Sequence, residues 1–343
     1  MRRLFKEVET TFLLESLGRF RQFMPAHSTD TELPGTLFHE HWWLSAATND
    51  SFQEVTVKNG ARIVGRLPFT LTKKKGFVEC RMPPFTHVLG PVVDTGVGKA
   101  QTQLLRRLSI IRTLIDQLPR ADLFRHAIDQ SFFDGLAFQD RGFHVQPQYT
   151  FEIDCREGLE KLWTEMHGKV RQHVRRAEEK FVVASVGDPH DFIRFYLENL
   201  RKRRLESRLD WGPFTEIFRQ ASARDCGEIL SASWPDGRPV AMTFLVWGHG
   251  KMYYLLSTRA DDDNDNGSMN LLIWSAMRRA HSRGLTFDLD GVSTSGTARF
   301  LSGFGGVPKL RLIVRRARLS YDLLQHAKRR LLGSSASETT AFT

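Results

Sequence analysis

The sequence predicts an α/β protein built as two similar units in tandem, each a mixed sheet flanked by helices. Three observations point there. The chain has 343 residues, against a usual domain size of about 100–200, so two domains fit. Its 41% hydrophobic and 26% charged residues are ordinary globular proportions, which excludes a disordered, collagenous or coiled-coil chain. The order hairpin, strand or extended loop, amphipathic helix, strand occurs twice.

In the first unit a helical segment over 7–23 precedes a Pro/Thr/Gly stretch ending at Gly35. His39-Glu40-His41-Trp42-Trp43-Leu44 opens a short helix. Residues 54–58 alternate as a strand. Segments 62–71 and 76–80 flank Lys73-Lys74-Lys75-Gly76, a hairpin turn. The stretch from Pro83-Pro84 to Pro91 is an extended loop, because adjacent prolines remove amide donors and disfavour the helical region before them. Over 98–118, Leu104, Leu105, Leu108, Ile111, Leu114 and Ile115 recur at helical spacing, and 122–128 is the strand after.

The second unit repeats that order. Strands 228–233 and 240–247 flank Pro235-Asp236-Gly237-Arg238, whose Asp-Gly pair is a hairpin signal. Strand 252–257 and a polar loop, 259–266, lead into a helix from Gly267 to about Arg283 and a strand over 285–290. Between the units, 156–180 reads as one long helix with Val170, Val174, Ala177 and Phe181 on a single apolar stripe. A second helical run covers 191–208. The expected units are 1–150 and 151–332, the last helix packing back on the first unit, with a Ser/Thr-rich disordered tail over 333–343.

No apolar run approaches the ~18 residues of a spanning helix. The N-terminus lacks an apolar h-region, which argues against secretion. Cys80, Cys155 and Cys226 fit no metal spacing or disulfide framework, so a reducing cytoplasm is the expected setting and no metal is expected. The net charge of +10, from 49 Lys+Arg against 39 Asp+Glu, favours anionic partners. Much of it is local: 309–330 holds eight Lys and Arg against Asp322 alone.

Three places carry candidate chemistry. Lys169, Arg171, Arg175 and Arg176 crowd the basic faces of the long helix, and arginine forks suit phosphate. Against that stands a merely solvated helix face. Gly267-Ser268-Met269-Asn270 opens a helix after a strand and a flexible loop. A helix start offers free N–H groups to an anion, although Gly-Ser is also a simple cap. Asp288 and Asp290 share one strand face and suit a general base for an amine, although Asp290-Gly291 is also a common turn pair.

The basic helix, Lys169-Val170-Arg171 through Arg175-Arg176-Ala177-Glu178, resembles a stretch of the FemABX-like group of the GNAT superfamily. That group comprises peptidoglycan-bridge aminoacyl transferases and acyl-CoA-using relatives. Pro83-Pro84-Phe85-Thr86 through Leu89-Gly90-Pro91, the Gly267–Trp274 helix start, Phe287-Asp288 and Phe304-Gly305 match in type and order, from about residue 39 to 310. The resemblance implies tandem GNAT-like (acyl-CoA N-acyltransferase) domains with an acceptor cleft, and adds Phe304 to the substrate-binding residues. It implies an N-acyltransferase using acyl-CoA as donor. The acceptor is an amine on an anionic small molecule or lipid-linked precursor. Aminoacyl-tRNA is the alternative donor, and a non-catalytic RNA or membrane-surface module the alternative class. Where the family often reads F-K-x-x-F-G, this chain has Phe300-Leu301-Ser302-Gly303-Phe304-Gly305. The lost lysine favours acyl-CoA over tRNA.

Overall fold

The computed structural model describes residues 33, 35–128, 134–207, 209–260, 267–292 and 294–331. The expected helix over 7–23, the tail over 333–343 and most of the loop 259–266 lie outside them. The strands in chain order are β1 (Gln53–Asn59), β2 (Arg62–Lys74), β3 (Phe77–Arg81), β4 (Val92–Val93), β5 (Leu123–Ile128) and β6 (His144–Asp154). Then follow β7 (Val182–Val186), β8 (Gly227–Ser233), β9 (Pro239–Gly248), β10 (Lys251–Arg259), β11 (Thr286–Gly291) and β12 (Val307–Ala317). The helices are α1 (His41–Thr48), α2 (Ala100–Gln117), α3 (Gly135–Gln139), α4 (Leu159–Glu165) and α5 (Gly168–Glu178). They continue with α6 (Pro189–Lys202), α7 (Trp211–Ala223), α8 (Ser268–Ser282), α9 (Ser295–Ser302) and α10 (Leu319–Leu331).

All these strands join one mixed sheet in the order β1-β2-β3-β5-β12-β6-β11-β10-β9-β8-β7, with β4 paired to β2. The antiparallel pair β12–β6 forms its centre. On one side β5 runs parallel to β3, and on the other β11 runs parallel to β10. Each parallel contact is short: Glu79–Arg81 against Leu123–Arg125, and Lys251–Tyr253 against Thr286–Asp288. Beyond those residues the partners diverge, and each connection carries a helix, α2 or α8. The repeated order is therefore visible, but β12 from the chain's end lies beside β5, and residue 150 falls inside β6.

Three cores hold the layers. Helix α2 buries Leu108, Ile111, Leu114 and Ile115 against Leu67, Phe69 and Phe124, each buried aliphatic chain contributing about 1.5–3 kcal/mol. Gly65 permits this approach, since a Cβ there would meet Ile110 at 2.4 Å. Helix α2 stops because Pro119 drives Leu118 to an extended conformation, ψ 141°. Helices α4, α5 and α8 cover a second core with Phe287 and Leu289 of β11. The third core gathers Phe38, Trp43, Phe85, Phe192, Phe214 and Tyr253.

Several expectations are corrected. The segment 156–180 is two helices, because Met166 turns extended (ψ 142°) and the His167 side chain accepts a hydrogen bond from the Lys169 N–H to start α5. The run 191–208 ends as a helix at Lys202, and α7 follows with Asp210 as its cap. Strands β6 and β12 lie at the centre of the sheet although Pro147, Pro308 and four basic residues of β12 hide their periodicity. Four of the eight basic residues in 309–330 thus lie on a central strand, with Arg311 buried and Arg316 exposed.

Candidate active site

A cleft of about 250 Å³ opens where β3 and β5 diverge. Its floor is the sheet face opposite α2, with Arg125 and Ala127 of β5, Arg311 and Ile313 of β12, and Gln148 of β6. The loop Pro83–His87 forms one wall and Leu209 with Asp210 another. That loop is firmly tied. The Trp43 indole N–H donates to Thr86 Oγ1 at 3.0 Å. His39 Nε2 lies 3.0 Å from the Gly90 carbonyl, and His126 Nδ1 lies 2.8 Å from the Leu89 carbonyl. Burial pushes His39 down to about 3 and His126 to about 4, so both imidazoles are neutral and each donates one N–H to the loop.

At the cleft's end sits a buried ionic cluster. Arg311, 2% exposed, donates from Nη1 to Asp290 at 2.9 Å and from Nη2 to Asp288 at 2.7 Å. Thr150 Oγ1 lies 2.7 Å from Asp288 Oδ1, and His87 Nδ1 lies 2.8 Å from Asp290 Oδ1. Burial by itself would raise the Asp290 carboxyl, but His87 and Arg311 outweigh it and hold the group below its usual value. Asp290 adopts φ +65°, beside a register shift between Asp288 and Gly291, and the Asp290 N–H donates to Asp288 at 2.9 Å. The arrangement gives His87 a carboxylate partner on the margin of a cleft, which suits proton transfer.

The residues singled out in the sequence divide between two faces. Phe287 and Leu289 point into the core under α8 and α5, so Asp288 and Asp290 face the opposite side. Gly267 caps α8 at φ +78° and abuts α5, where a Cβ would lie 2.7 Å from the His173 carbonyl. Ser268 and Asn270 are buried, and Met269 packs partly against the core. Arg171 donates to the Thr164 carbonyl at 2.9 Å, and Arg175 lies over the Trp163 ring at 5.4 Å. Lys169 and Arg176 are exposed. Phe304 is 1% exposed, packed edge-on to Phe300 at 5.4 Å, and is a core residue here. The structure therefore joins the α8 start to the basic helix but sets both apart from the acidic pair. His87, Arg81, Arg125 and Arg311 escaped sequence reasoning. The Pro-bounded loop was the signal for His87; Arg311 was masked by its basic neighbours.

Among the described residues no group of three or more His, Cys, Asp or Glu is arranged to hold a metal, and no helix is long and apolar enough to cross a membrane. The family model described as an acetyltransferase (GNAT) domain matches residues 165–299. No curated protein matches the chain. Among solved structures, FemX is similar at 14% identity with TM-score 0.63, over 89% of this chain and 99% of its own. L-PGS from Bacillus licheniformis is similar at 13% identity with TM-score 0.53, over 89% of this chain and 99% of its own. The C-terminal domain of a putative lysylphosphatidylglycerol synthetase from Agrobacterium fabrum aligns at 14% identity with TM-score 0.53, over 80% of this chain and 87% of its own. At such identities the likeness is one of fold. The chain thus carries a GNAT acyltransferase domain, over residues 165–299, within a fold of the FemX kind.

Proposed function

We propose that the protein transfers an acyl group from acyl-CoA to an amine of an anionic acceptor, such as a sugar nucleotide or a cell-envelope precursor. The observation that carries this reading is the His87–Asp290 contact on the cleft margin, 2.8 Å long, beside the point where β10 and β11 diverge. Diverging strands leave main-chain amides and carbonyls that suit an extended, amide-bearing chain such as pantetheine. The donor then approaches from the α8 side and the acceptor from the cleft. The N–H groups at the start of α8, Gly267 to Asn270, suit its pyrophosphate. Lys169 and Arg176, exposed on adjoining α5, add positive charge near that end. The thioester supplies an activated acyl carbon. On this chain, His87 takes a proton from the acceptor's ammonium group, so that the amine nitrogen can form its bond to that carbon as the carbon–sulfur bond breaks. Asp290 holds the imidazole in place, and Arg311 with Asp288 holds Asp290. The nitrogen gives up its second proton to the departing sulfur, which leaves as the thiol, and the proton on His87 passes to water.

Cell-envelope chemistry draws support from the names of the similar structures, among them a putative lysylphosphatidylglycerol synthetase. The second reading, an aminoacyl-tRNA donor, draws on the net charge of +10 and the FemX-like fold. Calorimetric titration of the wild-type protein with coenzyme A, and separately with tRNA, at two salt concentrations tests the two. Coenzyme A binding with weak salt dependence supports the first. Its absence, together with tRNA binding that falls steeply with salt, moves the donor to the second. His87→Gln should lower the transfer rate by about a hundredfold or more and leave donor binding unchanged; an unaltered rate removes His87 from the reaction.

A further inference from the structure

We propose that the cleft holds a phosphate on a row of arginines, so that the acceptor is a phosphorylated amine of amino-sugar size. Arg81 of β3 pairs in register with Arg125 of β5, and Arg125 with Arg315 of β12. Register partners on adjacent strands lie about 4.8 Å apart with side chains on one face, and like charges so placed repel. The two outer arginines are steadied by carboxylates: Glu79 accepts from Arg81 Nε at 2.7 Å, and Asp322 accepts from Arg315. Arg125 lies between them and, with Arg81, lines the cleft beside Thr70 and Thr72. Burial first, and then Arg81 and Arg315, push the Arg125 guanidinium below its usual range. A phosphate dianion on Arg81 and Arg125 offsets the repulsion and accepts their paired N–H donors.

The cleft also sets the size of what enters. About 250 Å³ is below the ~300–1,000 Å³ of common ligand sites, so a small headgroup fits within it and the remainder of a larger acceptor stays outside. Arg315 and Arg311 are four residues apart on β12, about 13 Å along a strand. The arginine row and the His87–Asp290 end are thus separate points of the same cleft. One point takes the phosphate, and the other receives the amine if the acyltransferase reading holds. The phosphate site does not depend on that reading.

The test omits any donor, so it stands or falls apart from the transfer reaction. Glucosamine 6-phosphate is titrated into the full-length protein by calorimetry and in a thermal melt, with glucosamine as the control. We expect the phosphate compound to bind and raise the melting temperature, and glucosamine to do neither. Arg125→Gln should weaken that binding by about tenfold or more without lowering the melting temperature of the ligand-free protein. A second arm uses phosphatidylethanolamine vesicles. Sedimentation with vesicles, reversed by glucosamine 6-phosphate, assigns the phosphate to a lipid headgroup; glucosamine 6-phosphate binding alone assigns it to a soluble ester. Binding of neither probe by the wild type overturns the proposal. So does an Arg125→Gln variant that binds glucosamine 6-phosphate as the wild type does. If that variant folds poorly, the wild-type comparison of phosphate ester with glucosamine decides.

Discussion

Two carboxylates at alternate positions of one strand, 1% and 4% exposed, survive burial only with compensation. Arg311 supplies it by bridging Asp288 and Asp290. Replacing Arg311 by Met keeps the volume and removes the charge, so the variant should lose about 3–5 kcal/mol of stability at pH 7. The sign of the pH dependence separates this from simple loss of packing. In the wild type the Asp290 carboxyl is lowered, so its contribution is complete above the unfolded value near 3.9 and is lost as pH falls through the folded one. Without Arg311 only His87 opposes burial, so the Asp290 carboxyl rises from its lowered position and the variant's deficit should shrink as pH falls from 7 to 5. Urea unfolding at both values checks it; an equal deficit at the two would mean that Arg311 serves packing alone. The acidic pair was legible in the sequence as two aspartates on one face. Its partner was not, because a buried arginine 21 residues from Asp290 looks like any other member of a basic run.

At the scale of elements, the loop Pro83–Pro91 owes its position to two neutral histidines. Each has a folded pKa depressed below the ordinary 6.5, to about 3 for His39 and about 4 for His126. Their contribution is therefore complete above the unfolded value and is lost as pH falls through the window from about 6.5 toward 4. Each group costs roughly 1.4 kcal/mol per pH unit within that window. Amide exchange at Leu89, whose N–H donates to the Ala127 carbonyl at 2.7 Å, should gain an opening component between pH 7 and 5 beyond the intrinsic rate change. Flat protection over that range would show that the histidines do not control the loop. The start of α8 behaves differently. Gly267 is needed for its φ of +78° and for its contact with His173, so Gly267→Ala should destabilise the fold by about 1–3 kcal/mol with or without coenzyme A. A variant as stable as the wild type would mean that neither the positive φ nor the approach to His173 requires a glycine there. The helix and strand order of both units was legible from periodicity, because apolar spacing dictates which face is buried. The break at Met166-His167 was not, because it answers to a tertiary bond: the His167 N–H donates to the Gly303 carbonyl at 2.9 Å.

For the whole molecule, the central pair matters most. Strand β12 fills the place between β5 and β6, and β6 borders β11. We propose that the two repeated units are interleaved rather than separable at residues 150 and 151. A chain truncated after Gly306 should then fail to fold cooperatively, since β5 and β6 each lose one of their two neighbours and Leu312 and Val314 leave the core under α2. Circular dichroism melts of residues 1–306 against the full chain test this; a cooperative melt near the wild-type temperature would mean that the first unit is complete without β12.

From its sequence alone this chain carried its α/β class, the repeated hairpin, helix and strand order, the acidic pair and the helix start at Gly267. All of these depend on neighbours within a few residues, where periodicity, caps and prolines act. Tertiary structure decided the rest. It placed a basic segment at the centre of the sheet, brought His87 to Asp290 across 203 positions, and lined up Arg81, Arg125 and Arg315 from three distant strands. Strand order and register depend on which faces pack together across the whole chain, and local spacing carries no record of that choice.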